Sequence, residues 1–238
     1  MAIGNDAYFK YLENKGQSGY RAAILVKEQG DAKYSLLVAS ETVPSVFGSQ
    51  DSFEFDLLNS PVKGKISGKM SLDDKEVEVL HHRDNVYRFE KLKNKVLDFM
   101  VVDSQFVGYK FTGTLSYRMN DATADVLRGT YTITPMSADT TPILNARDLC
   151  LETLCFADVV PDEMKQGESI TLSVVQKATG VTYSAKKLDE NGNETGSNVI
   201  TGSATNVFTA PSQSGVYAIT ASAENYAPWT TTVYVHGT

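Results

Sequence analysis

Asp73, Asp74, Glu76 and Glu78 crowd four carboxylates into six residues. Paired carboxylates are the groups that act as general acid and base in glycoside hydrolysis. Their setting argues against that chemistry. Asp73-Asp74 has the residue types of a turn, and Glu76 and Glu78 alternate with Val77 and Val79, the pattern of a strand with one face in solvent. His81 and His82 follow, but adjacent residues on a strand point to opposite faces and do not readily grip one ion. Cys150 and Cys155, in CLETLC, lack the C-x-x-C spacing of a redox or zinc site, and one pair is too few for a disulfide scaffold. They are expected to be two reduced, semi-buried thiols near a domain junction. Gly64-Lys65-Ile66-Ser67 matches only the tail of a phosphate-binding loop, and no G-x-S-x-G is present. The residues therefore predict no catalytic, cofactor-binding or metal site, and the chain is not expected to be an enzyme.

The elements around these groups read as mostly β. Residues 20–28 (YRAAILVKE) and 34–40 (YSLLVAS) flank Gln29-Gly30-Asp31 as a hairpin. A polar stretch with Pro44 and Gly48 leads to FEFDLL and then VKGKISGKMSL, where Lys63, Lys65, Ser67 and Lys69 are placed to share a face, while Gly64 and Gly68 suggest bulges. EVEVLHH is a strand. Asp84 is the predicted N-cap of a helix through Lys95, with Val86, Phe89, Leu92 and Val96 at near-helical spacing. Strands resume in LDFMVVD, GYKFTGTLSYR and DVLRGTYTIT, the last expected to stop at Pro135.

From Pro135 the texture changes to a Pro-containing, partly apolar segment with a helical turn expected at 148–154. Beyond residue 159 come short Thr-, Ser- and Val-rich strands, with Asn191-Gly192 as a hairpin signal. The predicted organisation is one domain over 1–138, a linker over 139–158 and a β-sandwich of immunoglobulin type over 159–238, with Tyr217 in a tyrosine-corner position and Trp229 in the core. The fold class is mainly β, a sandwich or barrel-like first domain with one short helix followed by the second sandwich.

The chain has 238 residues, 42% hydrophobic and 21% charged, with net charge −7. Its first 140 residues carry 17 basic and 19 acidic side chains and the remainder 5 and 10, so neither part has the basic excess that grips phosphate backbones. No apolar run approaches the ~20 residues of a membrane-spanning helix, so no membrane insertion is expected. The N-terminus lacks the pattern of a secretory signal, which places synthesis in a cytoplasm.

The run from VKGKISGKMSL through the 84–95 helix to LDFMVV, GYKFTGTLSYR and NDATADVLRGTYTITP resembles the major tail (tail tube) proteins of long-tailed bacteriophages. It covers roughly residues 1–140 and is a likeness of pattern. Some members of that family carry an immunoglobulin-like domain in the position of 159–238. The resemblance implies a virion protein, made in the bacterial cytoplasm, that assembles into hexameric rings stacked as a hollow tube. It implies as partners further copies of itself, the tape measure, tail terminator and distal tail proteins, and double-stranded DNA passing through without specific binding. A neutral or acidic lumen lets DNA slide, whereas one lined by lysines holds it. Residues 41–61 would stack on the next ring, with Val46, Phe47, Phe53 and Phe55 as contacts, although Phe53 and Phe55 fit the domain's own core equally well. Lys63, Lys65 and Lys69 fit an acidic lumen poorly and are candidates to meet acidic groups of a neighbouring subunit. The last domain would decorate the exterior, where weak binding of host-surface glycans is one expectation. The competing readings are a surface or pilus-like adhesin and the tube protein of a contractile injection system.

Overall fold

The computed structural model describes residues 22–38, 40, 42–55, 64–103, 106–122, 126–200 and 205–237, with the side chains of 51, 53–55 and 64–66 outside that description. The protein is mainly β, as expected. Eight strands and one helix build the first part: β1 (Ala23–Glu28), β2 (Ser35–Leu36), β3 (Gln50–Phe55), β4 (Gly64–Met70), β5 (Lys75–Leu80), α1 (Arg83–Leu92), β6 (Val96–Val102), β7 (Gly108–Met119) and β8 (Arg128–Ala138). Six of the strands form one antiparallel sheet in the order β2-β1-β6-β7-β8-β5, and β3 and β4 form a hairpin of their own. Strand alternation splits the sheet into two faces. Val77, Val79, Leu97, Phe99, Leu115 and Ile133 bury on one, where Phe89 of α1 covers them. Phe89 stacks on Tyr117 at 4.7 Å between ring centres and leans on Tyr131 at 5.2 Å. Gly129 leaves room for this cluster, because a Cβ there would stand 2.0 Å from the Tyr117 hydroxyl.

Two local readings are corrected. Strand β8 does not stop at Pro135 but runs to Ala138. The register between β7 and β8 shifts between Thr112 and Gly113, so Pro135 sits at an irregularity opposite Gly113, where a strand proline is tolerated. A side chain at Gly113 would meet the Thr134 carbonyl at 2.5 Å. Asp84 is not the cap of α1. His82 is, its ring accepting the Asp84 N–H at 3.3 Å. The Gly68 expectation matches the hairpin's irregularity: Gln50 faces Met70 but Ser52 faces Ser67, so Gly68 and Lys69 together stand opposite Asp51.

The second part packs a five-stranded sheet against a two-stranded one. The larger sheet comprises β10 (Glu163–Lys165), β12 (Thr182–Leu188), β13 (Glu194–Thr195), β15 (Gly215–Ser222) and β17 (Trp229–His236), ordered β10-β17-β15-β12-β13 with β10 parallel to β17. The smaller pairs β11 (Ser169–Thr171) with β14 (Val207–Thr209), whose Phe208 reaches Tyr217 of β15 at 6.2 Å between rings. Asp189 caps the β12–β13 turn by accepting the N–H groups of Asn191 and Asn193.

The freed Asp84 carboxylate joins the parts. It accepts Thr231 Oγ1 at 2.8 Å, Thr232 N at 2.6 Å and Thr232 Oγ1 at 2.7 Å. One turn on, the Arg88 guanidinium lies 5.2 Å from the Trp229 ring centre and donates to the Leu36 carbonyl, and Tyr87 donates to Glu194 at 3.0 Å. His82 and Arg83 both reach Asp162. Thus α1 turns Phe89 to one sheet and Asp84, Tyr87 and Arg88 to the other. One of the two hydrophobic clusters therefore spans both parts, with Leu25, Leu36, Met100 and Val102 packed with Leu154, Phe156 and Trp229.

Asp84→Ala removes three hydrogen bonds to a carboxylate that is 11% exposed. It is expected to cost about 2–4 kcal/mol, less than the sum of three charged hydrogen bonds at about 1.5–3 each, because the substitution also removes the desolvation cost of a nearly buried charge, read as a lowered denaturation midpoint. Glu194 gives a pH dependence. Burial acts to raise its carboxyl, but hydrogen bonds from Lys186 and Tyr87 outweigh that and hold it below the ordinary range. A depressed carboxylate stabilises above its unfolded pKa, and the gain disappears as pH falls through the folded value. Acid is therefore expected to loosen this contact, and Glu194→Gln to flatten the fall in melting temperature on acidification.

Candidate assembly surface

The six-stranded sheet has two edges with opposite fates. At β2 the protein's own chain closes the edge: Tyr34 N donates to Leu149 O and Leu151 N to Tyr34 O, both at 2.8 Å. The same segment is pinned to β7 by reciprocal bonds between Gly108 and Ile143 and continues as β9 (Glu152–Thr153), parallel to β16 (Tyr226–Ala227). It holds a 3-10 turn at Ala146–Leu149, which overlaps only the start of the helical turn expected at 148–154; the remainder is not helical and includes β9. At the other side, β5 has a strand partner on one side only among the described residues. The bond from His81 N to Leu127 O fixes the parity of that edge. Residues that bond a partner alternate in an antiparallel ladder. Lys75, Val77 and Val79 thus face β8, and Glu76 and Glu78 turn their N–H and C=O groups outward. A row of outward backbone groups is a template for another strand.

The uncovered part of the sheet is rich in hydroxyls and nearly neutral. Thr112, Thr114, Ser116, Thr130, Thr132 and Thr134 alternate along β7 and β8. Each carboxylate among them meets a cation: Asp98 and Lys27 at 3.5 Å, Glu76 and Arg118 at 3.8 Å, Glu78 and Arg128 at 3.5 Å. Asn120 also donates to Glu78 at 3.0 Å. The acidic group that opened the sequence reading is thus a solvated strand face bound to its neighbours. Met119 and Met136 stand exposed on the same two strands at 57% and 62%.

The residues singled out from sequence fall in several places. Val46 is buried in the protomer's own core, and Phe47, half-buried, stands edge-on to Tyr109 at 5.4 Å, so both side chains serve this fold. Phe53 and Phe55 lie on β3, their side chains outside the described residues. Tyr217 is buried and its hydroxyl donates to Gln213 O at 2.9 Å. Trp229 is buried where α1 meets β17. His81 meets the Tyr117 hydroxyl at 2.8 Å and His82 caps α1. Among the described residues no group of three or more His, Cys, Asp or Glu is placed to hold a metal ion, and no helix is long and apolar enough to cross a membrane. The open edge escaped sequence reasoning, since alternation marks a strand but not its neighbours; the acidic pair Glu76 and Glu78 was the available signal.

No family model matches the chain, and no curated protein matches it. Among solved structures it is similar to a chain of the anti-feeding prophage (AFP) baseplate determined by cryo-EM with 6-fold symmetrisation. The TM-score is 0.33 and the identity 9%, over 54% of this chain and 95% of that one. A likeness of this size fixes neither fold nor function.

Cys150 and Cys155 are free thiols, half-buried and buried, and burial pushes each up to about 12. Only thiolate reacts with disulfide reagents. Both cysteines are expected to label at least ~10-fold more slowly than an ordinary thiol in the native protein, since the lost thiolate fraction outweighs the gain in nucleophilicity, and at the ordinary rate in denaturant. Rapid labelling of Cys155 without denaturant would mean that the junction opens.

Proposed function

We propose that the chain is a structural protein that assembles with copies of itself into a phage-type tail tube, and that it performs no catalysis. The observation that carries this reading is the asymmetry of the six-stranded sheet, closed by its own chain at β2 and open at β5. An open edge on a soluble chain is a liability unless another strand covers it. A contact between two different edges is heterologous, and heterologous contacts close into rings or propagate. The hexameric number and the stacking of rings come from the family resemblance alone.

In this reading the hydroxyl-rich face of β5, β7 and β8 borders the lumen. Lys27, Arg118 and Arg128 there are already paired with carboxylates of the same chain, so a passing polyanion finds these cations engaged and releases fewer counterions. The β3–β4 hairpin, with Phe53 and Phe55 on β3, reaches the next ring. The second part is an immunoglobulin-like sandwich, supported by the parallel pairing of β10 with β17 and by the Tyr217 bond to the backbone four residues upstream. It sits on the outside as a fixed brace, because α1 and residues 143–156 tie it into the core. Other tail proteins are partners at the tube's ends, and the particle's tail is the site of residence.

Negative-stain microscopy of the concentrated, purified protein tests this. Rings or long hollow tubes of uniform width are expected. Strictly monomeric particles, confirmed by sedimentation over a hundredfold concentration range, would overturn the proposal.

A further inference from the structure

We infer that the open edge of β5 receives β4 of a second copy, and that their opposite charges decide the pairing. This rests on the self-assembly reading and names the two elements that meet. Four residues connect β4 to β5, yet the two strands do not pair within the protomer; β4 pairs only with β3, so the hairpin leaves the sheet at its open edge. Two edges are thereby left over among the described residues, the outer side of β5 and the outer side of β4.

Their charges differ in sign. Strand β5 and the turn before it carry Asp73, Asp74, Glu76 and Glu78, with Glu76 and Glu78 exposed at 60% and 54% of their side chains. Strand β4 carries Lys65 and Lys69 with Lys63 immediately before it, and no acidic residue. Ser67 and Lys69 are exposed. The ion pairs of Glu76 and Glu78 to Arg118 and Arg128 are long, at 3.8 and 3.5 Å, and although Glu78 also accepts from Asn120, each carboxylate oxygen can accept more than one hydrogen bond.

Like charges directly opposite on paired strands destabilise, and opposite charges stabilise. Antiparallel pairing of β5 with another β5 sets glutamates against glutamates on one face, and pairing of β4 with β4 brings together two strands whose only charges are basic. Each edge therefore rejects its own kind and fits the other. Backbone hydrogen bonds supply the affinity, and the charges choose partner and register. The result is head-to-tail contact between identical copies, the type that closes into a ring or continues. It also gives a place to the lysines of β4, which fit a DNA-facing lumen poorly.

The test uses two charge reversals in the full chain, Glu76→Lys with Glu78→Lys and Lys65→Glu with Lys69→Glu. Thermal unfolding first shows that each is folded; should the glutamate reversal unfold because lysines face Arg118 and Arg128, Glu76→Gln with Glu78→Gln replaces it. Sedimentation velocity and negative-stain microscopy then follow assembly. Each variant alone is expected to need at least ~10-fold more protein to assemble. Mixed in equal amounts the two reversals are expected to co-assemble near the parent's concentration, because each then offers the other a complementary edge; carrying both in one chain has the same effect. A parent that never assembles overturns the tube reading and this pairing with it. A parent that assembles while both reversals assemble equally well, or while the mixture gives no rescue, overturns the pairing alone.

Discussion

Most of the molecule hangs on α1 having two working faces. A ten-residue helix is marginal by itself and gains its stability from what it packs on. Phe89 gives it the aromatic cluster of the six-stranded sheet, and the polar side opposite gives it the five-stranded sheet. The Asp84 carboxylate is central to the second contact. It lies in the first helical turn, where the N-terminal dipole favours an anion, and takes two hydroxyls and one backbone N–H from β17. Left without them it would be a nearly buried charge with little water, which is costly. The helix, the two sheets and the segment between them are therefore held in one arrangement.

That arrangement explains the asymmetry of the edges. Residues 149–151 reach Tyr34 because the second sandwich anchors the chain just beyond them through β9 and β16. The closed edge at β2 is thus a consequence of carrying the second part. The open edge at β5 lies beyond its reach, next to a hairpin that departs from the sheet.

Much of the secondary structure was legible in the residues. Apolar runs marked β1 and β6, alternation marked β5, β7 and β8, and near-helical spacing marked α1. The misreadings share a cause. Asp84 has the residue type of a cap, but a capping bond is worth about 1 kcal/mol, and the hydroxyls of Thr231 and Thr232, 147 and 148 residues away, offered more; His82 then took the cap. Pro135 has the residue type of a strand end, but the irregularity opposite Gly113 removed the need for its N–H. In both cases a distant partner outweighed a local preference.

What the sequence determined alone is the β character, the 83–92 helix, the change of texture after Pro135, the near-neutral charge of the first part and the lack of a recognisable catalytic motif. These follow from local periodicity and composition, which act over a few residues. Only the tertiary structure decided which strands neighbour one another, that the polar side of α1 is an interface between sheets, that Val46 faces inward, and that Glu76 and Glu78 lie on a strand with no second partner strand among the described residues. Those depend on contacts between residues far apart in the chain, and alternation is the same whether a strand lies at the centre of a sheet or at its border.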